Sequence, residues 1–259
     1  MESFRHYFSE GKKITMVTCY DFWSAQIINN SNVDAVLVGD STAMVMHGYD
    51  TTINADMDMM IFHTAAVGKG LRQKFLIADM PFLSHLKGRN QLIESVDKLF
   101  KAGAQAVKIE GTGHTLNDIE FLVKSGIPVM GHLGMTPQSV HQFGGFKLQG
   151  NTDNQANQIL EEAKKLQDAG CFSIVLEMVP SELSKKITQK LSIPTIGIGA
   201  GKFTSGQILV LQDLLGMNKD FNPKFLKKYL NGFELIKEVL NKYDKDVKQM
   251  KFPSTKESY

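Results

Sequence analysis

The sequence predicts an α/β protein of the (β/α)8 TIM barrel class, folded as a single domain. Short, nearly continuous apolar runs alternate with longer helix-patterned segments, the pattern left by parallel strands covered on both faces. Helices hand over to strands through one small-residue grammar, at Lys101-Ala102-Gly103, Ser125-Gly126 and Ala169-Gly170, where glycine supplies a left-handed turn. The alternation continues over nearly all of the 259 residues, the length of such a barrel. A doubly wound open sheet is the competing arrangement.

Seven strands are expected, at Ile14 to Tyr20, Asp34 to Asp40, Phe75 to Pro81, Ala106 to Gly111, Pro128 to Gly134, Cys171 to Val179 and Pro194 to Ala200. Between them lie helix patterns such as Asn154 to Ala169, where Ile159, Leu160, Ala163 and Leu166 repeat at helical spacing with charge on the other face. Gln207 to Leu214 is either the eighth strand or a helix, because the segment separating it from the seventh run is shorter than a usual parallel crossover. Asn222-Pro223 reads as an N-cap and first turn, and the stripe from Phe225 to Leu240 as a closing helix. The expected organisation is a barrel domain over 1–243, with an N-terminal helical lead-in, and a polar tail over 244–259.

A 42% hydrophobic content beside 22% charge excludes a disordered chain. The 29 basic and 27 acidic residues are mixed along the sequence, which argues against the basic face of a nucleic-acid binder. No apolar run approaches the ~20 residues of a membrane span, and MESFRHYFSEGKK lacks a leader's apolar stretch, so a cytoplasmic protein is expected. Cys19 and Cys171 read as small core residues.

Polar residues punctuate the ends of strand after strand: Asp40, Asp79, Lys108 with Glu110, His132 and Glu177. In a barrel those ends converge on the face that builds the active site. Any one of the acids taken singly is equally a helix N-cap; recurrence at five strand ends points to a site. Asp40 and Asp79 have little local positive charge, and with a more distant Glu110 they suit magnesium, which takes hard oxygen ligands. The seven histidines contain no HExxH and no pair at ligand spacing, so zinc lacks a signature. Lys108 and Glu110, two apart on a strand, share a face, and Lys108 either meets an anionic substrate or pairs with Glu110 alone. Glu177 ends an apolar strand, an environment that lifts a carboxylate toward general-base range; the alternative is a cap for the next helix. IGIGAG at Ile196 to Gly201 is either a phosphate cradle or a tight turn.

These segments resemble, in order and over nearly the whole chain, the 3-methyl-2-oxobutanoate (ketopantoate) hydroxymethyltransferase family. The resemblance is carried by TCYD (Thr18 to Asp21), LVGDS (Leu37 to Ser41), HTAAV (His63 to Val67), ADMPF (Ala78 to Phe82), AGAQAVKIEG (Ala102 to Gly111), GHLGMTPQSV (Gly131 to Val140), FGGFKLQG (Phe143 to Gly150), LEMVP (Leu176 to Pro180), IPTIGIGAG (Ile193 to Gly201) and GQILVLQDLLG (Gly206 to Gly216). The chain departs from the family pattern at INADMDMM after Thr52 and at Ser84 to Ser95, touching no candidate site residue. The resemblance implies a magnesium-dependent enzyme that moves a hydroxymethyl group from 5,10-methylenetetrahydrofolate to 3-methyl-2-oxobutanoate through a magnesium-stabilised enolate, giving 2-dehydropantoate and tetrahydrofolate for pantothenate biosynthesis. It implies Asp40, Asp79 and Glu110 as metal ligands, Asp40, Ser41, Asp79 and Lys108 as substrate contacts, Glu177 as proton acceptor, and a homo-oligomer, a decamer in bacteria. His132 is expected only to line the pocket. The rival reading is a magnesium-dependent oxoacid lyase or mutase related to isocitrate lyase, needing no folate. A noncatalytic phosphate- or flavin-binding barrel is disfavoured by the carboxylates at its mouth.

Overall fold

The computed structural model describes residues 2–259, with side chains from Phe4 onward. Eight strands form a closed parallel barrel in sequence order: β1 (Ile14–Thr18), β2 (Ala35–Val38), β3 (Phe75–Asp79), β4 (Ala106–Glu110), β5 (Val129–Gly134), β6 (Ser173–Glu177), β7 (Thr195–Ile198) and β8 (Gly206–Leu209). The first seven lie inside the expected runs, trimmed at their ends. β8 pairs with β7 through Ile196↔Gly206 and with β1 through Ile14↔Gly206, which closes the ring.

The ambiguous segment resolves into strand first and helix second, since Leu211–Leu214 is helical. The chain returns from β7 to β8 without a crossover helix. Gly199 and Gly201 take positive φ in that return (64° and 77°), and the Gln207 side-chain Nε2 donates to the Gly201 carbonyl at 2.8 Å.

The two strand faces bury different things. Val36, Val38, Leu76, Ala78, Val107 and Ile109 are buried on the face opposite the barrel interior, while Ile14, Met16, Ala35, Leu37, Ile77, Ala106, Met130, Val175, Ile196 and Ile208 fill the interior. Burial on both faces is why the strands read as continuous apolar runs. Helix Glu2–Ser9 brings Phe4 against Phe75 and Phe172, with ring centroids 5.5–5.7 Å apart, and this aromatic trio floors the barrel. Outer helices start at capped positions: Asp21 accepts from the Ser24 amide, Asp56 from Met59 and Thr152 from Gln155.

The backbone divides into two compact units, the barrel up to Leu209 and a unit from Val210 to Tyr259. The expected boundary at 243/244 instead falls inside helix Gly232–Lys248, which runs past it with Lys248 ion-paired to Asp244 at 2.8 Å. That helix does not begin after Asn222-Pro223. Pro223 opens a turn closed by the Leu226 amide, and the following residues bond back to the first part of the unit, Tyr229 to the Leu214 carbonyl and Gly232 to Leu215. These tertiary bonds outcompete the apolar periodicity. Among the described residues no helix is long and apolar enough to cross a membrane.

Candidate active site

On β3 to β6 the interior set continues upward at period two and changes character. Ile77 is followed by Asp79, Ala106 by Lys108 and Glu110, Met130 by His132, and Val175 by Glu177. One parity therefore supplies both the apolar core and, at the C-terminal mouth, an ionisable layer. Asp40 joins from two residues beyond β2. Gly39 permits this approach, since a Cβ there would lie 2.8 Å from Ser41 Oγ.

The carboxylates are joined by a small number of contacts. The Asp40 backbone amide donates to Asp79 Oδ2 at 3.0 Å, and Lys108 Nζ stands 3.0 Å from Asp79 Oδ1 and 3.5 Å from Glu110 Oε1. His132 Nδ1 is 3.1 Å from Glu110 Oε1, and its Nε2 is 3.2 Å from Glu177 Oε2. Asp40, Asp79, Lys108, Glu110 and His132 are all buried, whereas the Glu177 side chain is 17% exposed. Ser41, half-buried, has its Oγ 2.8 Å from the Tyr20 hydroxyl. The fold thus brings every sequence-predicted site residue to one mouth.

Burial dominates the electrostatics. It pushes Asp40 well above the ordinary carboxylate range, helped by repulsion from Asp79 and Glu110. Asp79 is also raised by burial, with Lys108 pulling the other way. At Glu110 burial loses to Lys108 and His132, which hold it low. Burial also opposes charge on Lys108, but Asp79, Glu110 and Asp40 raise its pKa. His132 is raised to about 9: burial and Lys108 act against its charge, and Glu110 and Glu177 prevail. Its Nδ1 bonds Glu110 Oε1 and its Nε2 faces Glu177 Oε2 without an aligned hydrogen bond, so charge on the ring would make its 3.2 Å approach to Lys108 Nζ a like-charge contact set between acids.

The donor set fits a hard cation. Asp79 Oδ1 is buried without an aligned hydrogen bond, despite the nearby ammonium. Asp40 and Asp79 are mutually close and offer only oxygen, with the Lys108 ammonium beside Asp79. Among the described residues no three His, Cys, Asp or Glu side chains converge as a ready-made metal cage. Glu110 has both oxygens engaged, Oε1 by His132 and Oε2 by the Gln138 backbone amide at 3.1 Å. Such an arrangement suits magnesium, which is usually held by one or two carboxylates with waters and substrate oxygens.

Sequence reasoning missed three participants. Gln138, just beyond β5, donates from Nε2 to Asp40 Oδ2 at 2.8 Å and to the Met80 carbonyl at 3.0 Å. Its motif was visible, but an uncharged amide carries no signal. Tyr20 was likewise inside a quoted motif. The third is a histidine pair formed only by folding: His47 and His63 meet Nε2 to Nε2 at 2.8 Å, with His63 Nδ1 2.6 Å from the Tyr20 carbonyl. A carbonyl only accepts, so His63 Nδ1 carries the proton, and His47 donates to His63 Nε2 when the pair is neutral.

The phosphate-cradle alternative loses support, and both cysteines lie buried as core residues. A Cβ at Gly201 would lie 2.2 Å from Ser181 Oγ, so part of IGIGAG is consumed by chain packing and the tight return. Both cysteines are buried and their thiols pushed up by burial, Cys171 to about 12, the opposite of an activated nucleophile.

The model of a family described as ketopantoate hydroxymethyltransferase matches residues 1–255. A protein from Coxiella burnetii (strain Dugway 5J108-111) named 3-methyl-2-oxobutanoate hydroxymethyltransferase is 56% identical over 245 residues, 94% of this chain and 92% of the relative. One of the same name from Bdellovibrio bacteriovorus is 56% identical over 251 residues, covering 97% and 95%. Among solved structures, a phosphonopyruvate hydrolase complex with oxalate and Mg++ superposes with a TM-score of 0.64 over 99% of this chain and 92% of that one; at 10% identity it supports the fold alone.

Proposed function

The chain belongs to the ketopantoate hydroxymethyltransferase family and is an enzyme of that kind, and from this premise we propose that it moves the one-carbon unit of 5,10-methylenetetrahydrofolate onto C3 of 3-methyl-2-oxobutanoate. One water is consumed, and 2-dehydropantoate and tetrahydrofolate are released, a step of pantothenate biosynthesis. The observation that carries this reading is the buried layer of Asp40, Asp79, Lys108, Glu110 and His132, with the partly open Glu177 at its edge.

Asp40 and Asp79 would hold a magnesium ion, with Glu110 behind them as a more remote acid. When bound, the ion supplies electrophilic polarisation of the keto group, which acidifies the neighbouring C–H. Lys108, kept charged by three acids, receives the substrate carboxylate together with Ser41, whose hydroxyl is oriented by Tyr20. Glu177 removes the C3 proton, and the electron pair left on the substrate attacks the folate-borne methylene. His132, between Glu110 and Glu177, holds the base in place.

The reaction is assigned to the cytoplasm and to a homo-oligomer, a decamer by family analogy. Exposed Trp23, Ile27 and Phe62, on the mutually packed helices Phe22–Asn29 and Met57–Gly70, are the kind of surface a partner subunit covers. The test is exchange of deuterium from C3 of labelled 3-methyl-2-oxobutanoate, with and without magnesium, followed by addition of tetrahydrofolate and formaldehyde. Magnesium-dependent exchange plus a hydroxymethyl product supports the whole proposal. Exchange without product moves the chain to oxoacid enolisation of the lyase type, and no exchange overturns the mechanism.

A further inference from the structure

We propose that Gln138 is a positioning residue that selects which Asp40 oxygen faces the cation, an inference that rests on the magnesium reading above. The side-chain amide is buried, and its Nε2 contacts two acceptors, Asp40 Oδ2 and the Met80 carbonyl. A carbonyl cannot donate, so the atom between them must be the nitrogen, which fixes the amide orientation. Both of its protons are then spent. One anchors to backbone, and the other occupies Asp40 Oδ2, which leaves Oδ1 as the oxygen available to a cation.

The same residue's backbone amide donates to Glu110 Oε2 at 3.1 Å. Gln138 therefore grips two acids, one just beyond β2 and one at the end of β4, through one short segment beyond β5, and ties both to Met80 just past β3. Without it, Asp40 has no hydrogen-bonded side-chain partner on this side and is free to rotate. A carboxylate that must be ordered at the moment of binding binds its ion more weakly, and loss of such an orienting partner typically costs about 10- to 100-fold in metal affinity. The backbone bond to Glu110 survives substitution, so the side-chain contribution is isolated.

The experiment uses the full chain, Mn2+ as the probe read by the EPR signal of the free ion, and Gln138→Met, which keeps length and removes both donors. Expected in the folded variant is a dissociation constant weaker by about 10- to 100-fold, and a kcat that recovers at saturating Mg2+ while the Mg2+ requirement rises. Gln138→Glu, which keeps shape but sets acceptors against Asp40 and Met80, should weaken binding too and serves if the methionine variant does not fold. Wild-type affinity in either folded variant, or a kcat loss that excess metal does not restore, overturns the inference while leaving the proposed function standing. Absence of Mn2+ binding by the wild-type chain overturns both.

Discussion

Glu177→Gln tests the mechanism at its base. The substitution preserves the shape of the side chain and its reach to His132, 3.2 Å away, but the amide cannot take a proton. Asp40, Asp79 and Glu110 are 2–8% exposed and occupied with one another, Lys108 or Gln138, so no other acid of the mouth is placed to substitute. Positioned general bases contribute about 10² to 10⁴ in rate, so turnover should fall by that factor, about 2.7 to 5.4 kcal/mol of barrier. Lys108 keeps its 3.0 Å contact to Asp79, and Ser41 keeps Tyr20, so the oxoacid dissociation constant should stay within about threefold of wild type. The assay is proton NMR of C3 exchange on magnesium-saturated protein, with oxoacid affinity measured separately by calorimetry. Exchange within about tenfold of wild type, or an affinity loss as large as the rate loss, would refute the assignment.

Phe4→Ala removes the keystone of the barrel floor and should lower unfolding free energy by about 3 to 5 kcal/mol in urea titrations, with the kcat of the folded fraction unchanged. Gly134→Ala should destabilise strongly and impair exchange, because the residue has φ +94° and a Cβ would lie 2.1 Å from the Glu177 carbonyl oxygen; thermal melts and NMR exchange check both effects. Asp213 in the second unit is raised by burial from 3.8 to about 6, against the pull of Lys228. The folded state then holds a proton the unfolded chain has lost, so wild-type stability falls as pH rises through that window. Asp213→Asn should melt increasingly above wild type across the same window, with the gain constant at higher pH.

The barrel was legible because β-strands buried on both faces leave apolar runs that need no tertiary information to recognise. Its seventh-to-eighth connection was less so: the return from Gly199 to Ser205 lacks the helix that usually marks a parallel crossover, and Gln207 to Leu209 is too short to distinguish from the helix after it. The closing helix was misplaced for another reason. Phe225 to Tyr229 carry helical periodicity, but backbone bonds to Leu214 and Leu215 take that stretch out of the helix, and periodicity cannot register such competition. Within the site, the ionisable residues stood out against apolar strands, whereas Gln138 and Tyr20 did not, because neutral polar side chains are common in loops and strand ends.

Local sequence determined the strands, their side-chain parity and the placement of Asp79, Lys108, Glu110, His132 and Glu177 at C-terminal strand ends, since a period of two follows from backbone geometry alone. Only tertiary structure decided what those groups are to one another. Closure of the ring sets Asp79 beside Lys108 and Glu110 beside His132 as register partners across strands 20 to 30 residues apart. It also brings Gln138 to Asp40, and His47 to His63. The physical reason is that burial makes charge depend on neighbours: the same carboxylate that sequence renders as one acidic letter is pushed up at Asp40, where acids meet, and held down at Glu110, where Lys108 and His132 stand.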